Sequence, residues 1–422
     1  MNYIYRAYKI TDSVLRDKAF STIELNKALK IAPESERAII TKIVYGTLEN
    51  SVRYDYYIKC LCEKKPKGSI ESLIKIGLFL LYELDSVPCY AAIDECVKIA
   101  KKISRGSLSG FVNATLRSAV DYEYPAPENR EDELSVKYSV PLLIGKKLCD
   151  EYGEELTAKM LVKSGDTNEC IRSNSRCISG EAFKNTLSAH DIPYKRLAEN
   201  AFSVRLPDLE EKIDKKLYTC QALSSIYAID CLDIKPEDIV LDVCSAPGGK
   251  AVYASEKAKE VFACDVYDHR VALIESYALR MGAKNVYPMI KNGLKFDKAF
   301  ENRFDKIICD VPCSGSGVFH SRPDVLFGIT ESGIVSLNAT QYGILETCAK
   351  YLKSGGELLY STCSLFNEEN DDIIGRFLKN NDGFVVEPTE VPAFNVKKEY
   401  GIELLPNLSG SIGFYIAKIK KL

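Results

Sequence analysis

The chain contains no tryptophan and only three histidines in 422 residues. His190, His269 and His320 stand far apart, so the spacing that builds a zinc site is missing. Fifteen cysteines are present, yet no Cys-x-x-Cys pair occurs; the nearest spacings are Cys60-x-Cys62 and Cys309-x-x-x-Cys313. Their odd number and scatter argue against a secreted disulfide framework, as does the lack of a basic-then-apolar leader after Met1-Asn2-Tyr3-Ile4-Tyr5-Arg6. No structural metal is expected, and most of the cysteines read as small buried apolar residues. No run approaches the ~18 apolar residues of a membrane span, which points to a soluble, cytoplasmic chain. Internal repeats and low-complexity tracts are absent. So is a Gly-x-Gly-x-x-Gly run, which removes the usual dinucleotide fingerprint.

What is present is ordinary in bulk and uneven in detail. Hydrophobic residues make up 46% and charged residues 27%, a globular composition long enough for two or three domains. The net charge is −3, but residues 1–120 hold 19 Lys+Arg against 13 Asp+Glu, leaving the remainder acidic. A basic first third on an acidic body fits local contacts to phosphate, and equally fits an unevenly charged solvated surface.

The first 120 residues read as helices. Ile93, Val97 and Ala100 share one face, as do Ile39 and Ile43, and Ser72 to Leu84 is apolar on nearly all sides, which predicts a central helix. Pro66 and Gly68 mark a break between helices. Asp121 to Glu133, with two prolines and six acidic residues, reads as a semi-rigid linker. From about 135 to 230 the pattern is mixed, with a helix over Pro141 to Leu161 ended by Gly165, a strand at Glu169 to Asn174 and a helix at Phe183 to His190. After 235, strands and helices alternate, which predicts a mainly parallel sheet covered on both faces. Strands are expected at Ile239 to Val243, Val261 to Cys264, Asn285 to Met289, Lys306 to Cys309 and Glu357 to Tyr360, with a last one near Gly413 to Ile419. Three regions follow: a helical domain over 1–125, a small α+β module over 135–230, and an α/β domain over 231–422.

The chemistry concentrates in that last region. Leu241-Asp242-Val243-Cys244-Ser245-Ala246-Pro247-Gly248-Gly249-Lys250 is a glycine-rich turn from strand to helix, where backbone can approach a ligand closely. Asp265 ends the next strand about twenty residues on, where doubly wound folds place an acceptor for ribose hydroxyls. An NAD-type site and a plain tight turn compete with this reading. Two further strand ends carry cysteine: Asp310-Val311-Pro312-Cys313-Ser314-Gly315 and Tyr360-Ser361-Thr362-Cys363-Ser364. Two thiols and a carboxylate beside a nucleotide turn suggest covalent catalysis.

These motifs resemble the bacterial ribosomal RNA cytosine-C5 methyltransferases of the RsmB (Sun/Fmu) type. The likeness extends through an N-terminal domain resembling NusB, in Ile43-Val44-Tyr45-Gly46-Thr47-Leu48, Ser86-Val87-Pro88 and Gly110-Phe111-Val112-Asn113-Ala114-Thr115-Leu116-Arg117. Arg172-Ser173-Asn174, Gln221-Ala222-Leu223-Ser224-Ser225 and Gly413-Phe414-Tyr415 match it as well. The resemblance implies a Rossmann-like methyltransferase domain preceded by an RNA-binding helical domain. It implies S-adenosylmethionine (SAM) held by Cys244, Ser245, Ala246, Pro247, Gly248, Gly249 and Lys250, with Asp265 on the ribose and Asn292 and Asp310 completing the site. It also implies Cys363 as nucleophile, Cys313 for release of the product, Asp310 on the base edge, and Lys250 assisting. The expected partner is 16S rRNA, naked or in an early small-subunit particle, acted on by a monomer. Transfer RNA as substrate, and a non-catalytic RNA-binding factor, stay open as alternatives. Two departures stand out: Asn292 occupies a usual aspartate position, and His320-Ser321-Arg322 replaces a usual basic pair in a loop expected to face RNA.

C5 of cytosine is a poor nucleophile. A thiolate added at C6 makes the ring an enamine that can attack a sulfonium methyl, and the base must leave its stack to be reached.

Overall fold

The computed structural model describes residues 3–66, 68–162 and 168–422. They form two compact units, one running to Leu161 and including Val318–Thr330, the other holding Val162–Gly317 and Glu331–Leu422.

The first unit is helical, with helices at Tyr3–Asp17, Ser21–Ile31, Glu34–Glu49, Ser51–Leu61, Ser69–Tyr82, Cys89–Ile103 and Ser109–Val120. Ser69–Tyr82 is the central one: Ile70 and every residue from Ser72 to Leu80 are buried, as its all-round apolarity requires. Gly68, at φ +61°, makes the turn into it. The acidic stretch read as linker is half structure, because helix Arg130–Tyr138 begins inside it. Asn129 caps that helix by accepting from Asp132 N at 2.8 Å, and Glu131, Asp132 and Glu133 fill its first turn. Negative charge there is stabilised by the helix dipole, so the same composition serves a helix start. The next helix, Leu142–Leu161, bends at Gly153 (φ +74°); Gly165, its expected end, lies outside the described residues.

The second unit holds two sheets. Strands β1 (Glu169–Ser173), β2 (Tyr194–Ala198), β3 (Ala201–Val204) and β4 (Tyr218–Cys220) make an antiparallel sheet in the order β2-β3-β1-β4. The hairpin β2–β3 was not foreseen from the sequence. Arg172 of β1 is fully buried, donates to Gln221 Oε1 at 2.8 Å, pairs with Glu256 and lies over the Tyr253 ring. That network ties the small sheet to the helix after the glycine turn and accounts for Arg172-Ser173-Asn174 and Gln221 in the sequence.

The large sheet contains β5 (Ile239–Asp242), β6 (Glu260–Asp265), β7 (Val286–Ile290), β8 (Phe304–Asp310), β9 (Leu352–Thr362), β10 (Phe384–Glu387), β11 (Val396–Lys397), β12 (Ile402–Leu404) and β13 (Phe414–Lys421). Its order is β11-β12-β13-β9-β8-β5-β6-β7, with β10 also on β13. Strands β5 to β9 pair in parallel, and β13 runs antiparallel to β9. Helices Gly249–Ser255, Asp268–Met281, Glu331–Tyr351 and Asp371–Asn380 cover the faces. Buried on both sides, the parallel strands are near-continuous apolar runs, such as Ile307-Ile308-Cys309. The chain builds β5, β6 and β7 in one direction and then crosses to β8 and β9 on the other side. A ligand crevice forms at such a reversal, outside the carboxyl ends of the strands.

All fifteen cysteines are free thiols. Only Cys96, Cys264, Cys309 and Cys348 are fully buried, and Cys89, Cys177 and Cys220 are exposed. The expectation of a mainly buried set fails because most sit at the margins of elements, where a small side chain is half covered.

Candidate active site

Each predicted site residue follows the carboxyl end of a parallel strand: the Cys244–Lys250 turn after β5, Asp265 on β6, Asn292 after β7, Asp310 and Cys313 on and after β8, Cys363 after β9. The period-two pleat buries the strand bodies, while the ends turn toward the crevice.

At the turn, Gly248 adopts φ +107°, and a Cβ there would also meet the Ile274 backbone at 3.3 Å. Both reasons select glycine. Polar groups around the turn are incompletely satisfied. Both oxygens of Asp242, the Ser245 hydroxyl and Asp265 Oδ2 are buried without a hydrogen-bond partner. Arg270 Nε lies 3.4 Å from Asp265 Oδ2 without hydrogen-bond geometry, and Arg270 also reaches the Ala246 carbonyl. Burial, with the charge of Asp310 adding, pushes the Asp242 carboxyl up to about 7, against the pull of Lys250. Orphaned buried acceptors cost free energy unless something donates to them. A cofactor with ribose hydroxyls and an ammonium group supplies such donors, so the residues present fit one. Asp242 stood in the quoted run, yet sequence reasoning passed over it, since an acid on a strand end is as often exposed. Asn292 uses its side-chain oxygen on Leu294 N at 2.9 Å, shaping its own turn.

At the thiols the arrangement is dense. Cys313 Sγ and Cys363 Sγ are 3.0 Å apart. Lys250 Nζ bonds Asp310 Oδ2 at 2.7 Å, and Ser361 Oγ donates to Asp310 Oδ1 at 2.7 Å. Thus the four residues singled out for chemistry meet in one place. The hydrogen bond from Cys313 holds the Cys363 thiol below its ordinary value, with Lys250 assisting, against burial and the charges of Asp310 and Glu369. The same bond pushes Cys313 well up, and burial and the Cys363 charge add to it. The pair is thus pushed apart, Cys363 down and Cys313 up, which makes Cys363 the readier of the two to ionise. Lys250 stays charged because Asp310 outweighs its burial.

Sequence reasoning missed the residues that hold this pair in place. Ser361, Gln341 and Glu369 are all fully buried, and no motif or period marks a buried polar residue as paired. The matched glycine just before the last strand has a packing reason: Gly413 N donates to the Gly317 carbonyl at 2.8 Å, and a Cβ on Gly413 would meet Gly317 Cα at 2.7 Å. The departure at His320-Ser321-Arg322 falls in Val318–Thr330, which belongs to the helical unit. His320 Nε2 is bonded to the Met160 carbonyl at 2.8 Å, Asp324 accepts from Ser21 N and Oγ, and Phe327 packs on the helical core. The loop expected to face RNA thus has packing partners of its own.

Fold and site together define a group-transfer enzyme of the doubly wound class, with a nucleotide-type turn beside a thiol pair. Comparison with known proteins sharpens the class. The family model for the 16S rRNA methyltransferase RsmB/F matches residues 229–420, and that of the NusB family matches residues 3–121. The chain is 30% identical over 429 residues to the probable ribosomal RNA small subunit methyltransferase B of Bacillus subtilis, covering 96% of each. It is 27% identical to ribosomal RNA small subunit methyltransferase B of Citrobacter koseri, covering 92% of this chain and 91% of that one. Among solved structures, a methyltransferase homolog from Pyrococcus horikoshii matches with TM-score 0.60 and 27% identity over 69% of this chain and 99% of its own. The crystal structure of PH0851 shares the fold over 100% of this chain and 99% of its own, at TM-score 0.85 and 23% identity. The protein belongs to the RsmB/F methyltransferase family and carries an N-terminal NusB domain.

Proposed function

We propose that this protein methylates C5 of a cytosine in 16S ribosomal RNA, using SAM and a covalent bond from Cys363 to C6. The observation that carries the reading is the 3.0 Å separation of the Cys313 and Cys363 sulfurs, with Lys250 and Asp310 beside them. The family and the names of its members support the substrate.

SAM, when bound, supplies an electrophilic methyl group. Asp265 would hold its ribose hydroxyls, Asp242 and Ser245 would take its polar end, and Asn292 would meet its base edge. Asp310, oriented by Lys250 and Ser361, is placed to hydrogen-bond the N3/N4 edge of a flipped cytosine. The Cys363 thiolate adds its electron pair to C6 as N3 takes up a proton, and the ring electrons pass to C5, which would take the methyl group as the demethylated thioether leaves. Cys313, once its own thiol proton has passed to solvent, then removes the C5 proton as a thiolate, while the C6–S bond breaks and its electron pair returns to Cys363. Adduct formation itself prepares that step. Once Cys363 is a thioether it neither accepts the Cys313 proton nor carries charge, so two of the three largest causes that push the Cys313 thiol up disappear. The helical domain, residues 1–125, is assigned to RNA contact, residues 135–230 to bridging, and residues 231–422 to chemistry.

A denaturing gel of protein incubated with SAM and 16S rRNA tests this. Cys363→Ala should abolish methylation and any protein–RNA band; Cys313→Ala should accumulate that band, because the methylated adduct cannot eliminate. Retained activity without a band in either variant would refute covalent catalysis.

A further inference from the structure

We infer that Glu369 is the positioning residue that fixes the spacing of the two thiols, by binding the loops that carry them to one carboxylate. The assignment rests on the two-cysteine reading above, but its geometry is independent of the base.

Cys313 and Cys363 follow different strands, β8 and β9, and each sits on a loop rather than in the sheet. The β8–β9 pairing ends at Asp310 and Ser361, and beyond it the loops also meet through Gly317 N on the Cys363 carbonyl at 2.8 Å and Ser314 Oγ on Ser364 Oγ at 3.2 Å. Glu369, fully buried in the short turn Asn367–Glu369, reaches both loops. Its Oε1 accepts from Ser314 N at 2.9 Å, and its Oε2 accepts from Ser314 Oγ and Ser364 Oγ, each at 2.5 Å. Gln341, from helix Glu331–Tyr351, donates to Oε1 at 2.9 Å and to the Pro312 carbonyl at 2.9 Å. The residues bound are thus the immediate chain neighbours of both cysteines: Pro312 and Ser314 flank Cys313, and Ser364 follows Cys363.

A carboxylate is the group this geometry calls for. It accepts only, and four donors converge on its two oxygens. An amide would set an N–H against Ser314 N and Gln341, or against the two serine hydroxyls. Those hydroxyls are already engaged as acceptors, since Phe366 N donates to Ser364 Oγ and Ser316 N to Ser314 Oγ. A shorter acid would lose one loop. The consequence for the reaction is specific: attack needs only Cys363, whereas release needs Cys313 within reach of the carbon next to the one Cys363 has bonded.

The test uses the full-length protein and Glu369→Gln, with Ser364→Ala cutting a single arm. The first readout needs no RNA. Diamide takes two electrons and two protons from the Cys313 and Cys363 thiols, becoming a hydrazine as the disulfide forms, and the linked peptide is followed by mass spectrometry. Closure should be about tenfold slower or more in Glu369→Gln, and slowed less in Ser364→Ala, since reaction between tethered groups depends steeply on their alignment. The second readout is single-turnover methylation: resolution of the adduct should slow by up to ~10²-fold, as for a displacement of about 1 Å, while adduct formation changes less. SAM binding by calorimetry should match the unsubstituted protein. Closure at the normal rate, or loss of SAM binding together with closure, would overturn the inference; in the latter case Glu369 serves the fold at large. Failure of the cytosine reading would show differently, as methylation by Cys363→Ala with closure in Glu369→Gln still slowed.

Discussion

The thiol half and the cofactor half of this site differ in how fully their polar groups are satisfied. Around Cys313 and Cys363, Glu369 receives four hydrogen bonds and Asp310 receives two, with Gln341 Oε1 a buried acceptor left over there. Around the Cys244–Lys250 turn, Asp242, Ser245 Oγ and Asp265 Oδ2 have no partner in hydrogen-bond geometry, although Ser245 lies near Asp242 and Arg270 lies 3.4 Å from Asp265 Oδ2. Asp242 and Glu369 are both almost wholly buried acids of one domain, so burial does not separate them. The difference teaches where rigidity is built in and where a ligand completes the structure. Reacting groups need fixed geometry before the substrate arrives, while unmet acceptors mark the place a ligand will fill.

Three substitutions test that contrast. Asp265→Ala should weaken SAM by ~1–3 kcal/mol, or roughly tenfold to a hundredfold by calorimetry, because ligand hydroxyls would lose a buried acceptor. Unchanged affinity would show that the orphaned oxygen is no ligand site. Lys250→Met probes the residue shared by both halves. Its charge helps hold Cys363 low, and thiolate is present only above the Cys363 pKa. The rising low-pH limb of adduct formation should therefore move to higher pH. An unmoved limb would leave Lys250 only the task of orienting Asp310.

The smallest effect concerns stability. The Asp242 carboxyl is raised to about 7 in the folded protein, so between its unfolded value near 4 and that pH the folded state binds more protons, and stability falls as pH rises. Asp242→Asn should relieve this, raising Tm at pH 8 by about 2–4 °C and having little effect at pH 4. An equal shift at both pH values would point to packing rather than charge.

The cysteines show how far reading from the sequence reached. Cys313 and Cys363 were recognisable because each follows an apolar strand run, and such ends gather at one edge of a parallel sheet. The glycine turn and Asp265 were legible for the same reason. The helix beginning at Arg130 was not, since an acidic segment with two prolines serves a linker and a capped helix start equally well. The hairpin β2–β3 escaped because Tyr194–Val204 is short and half exposed, without sustained alternation.

By itself, then, the sequence determined the helical first region and the alternation of strands and helices in the last, the glycine turn and the two thiols at strand ends, all through local patterns of period and turn chemistry. Tertiary structure alone decided that the two sulfurs lie 3.0 Å apart, that Glu369 receives four hydrogen bonds, and that Val318–Thr330 belongs with the helices. These depend on which residues distant in the chain come within about 3 Å of each other, the range over which hydrogen bonds act, and no local pattern records that distance.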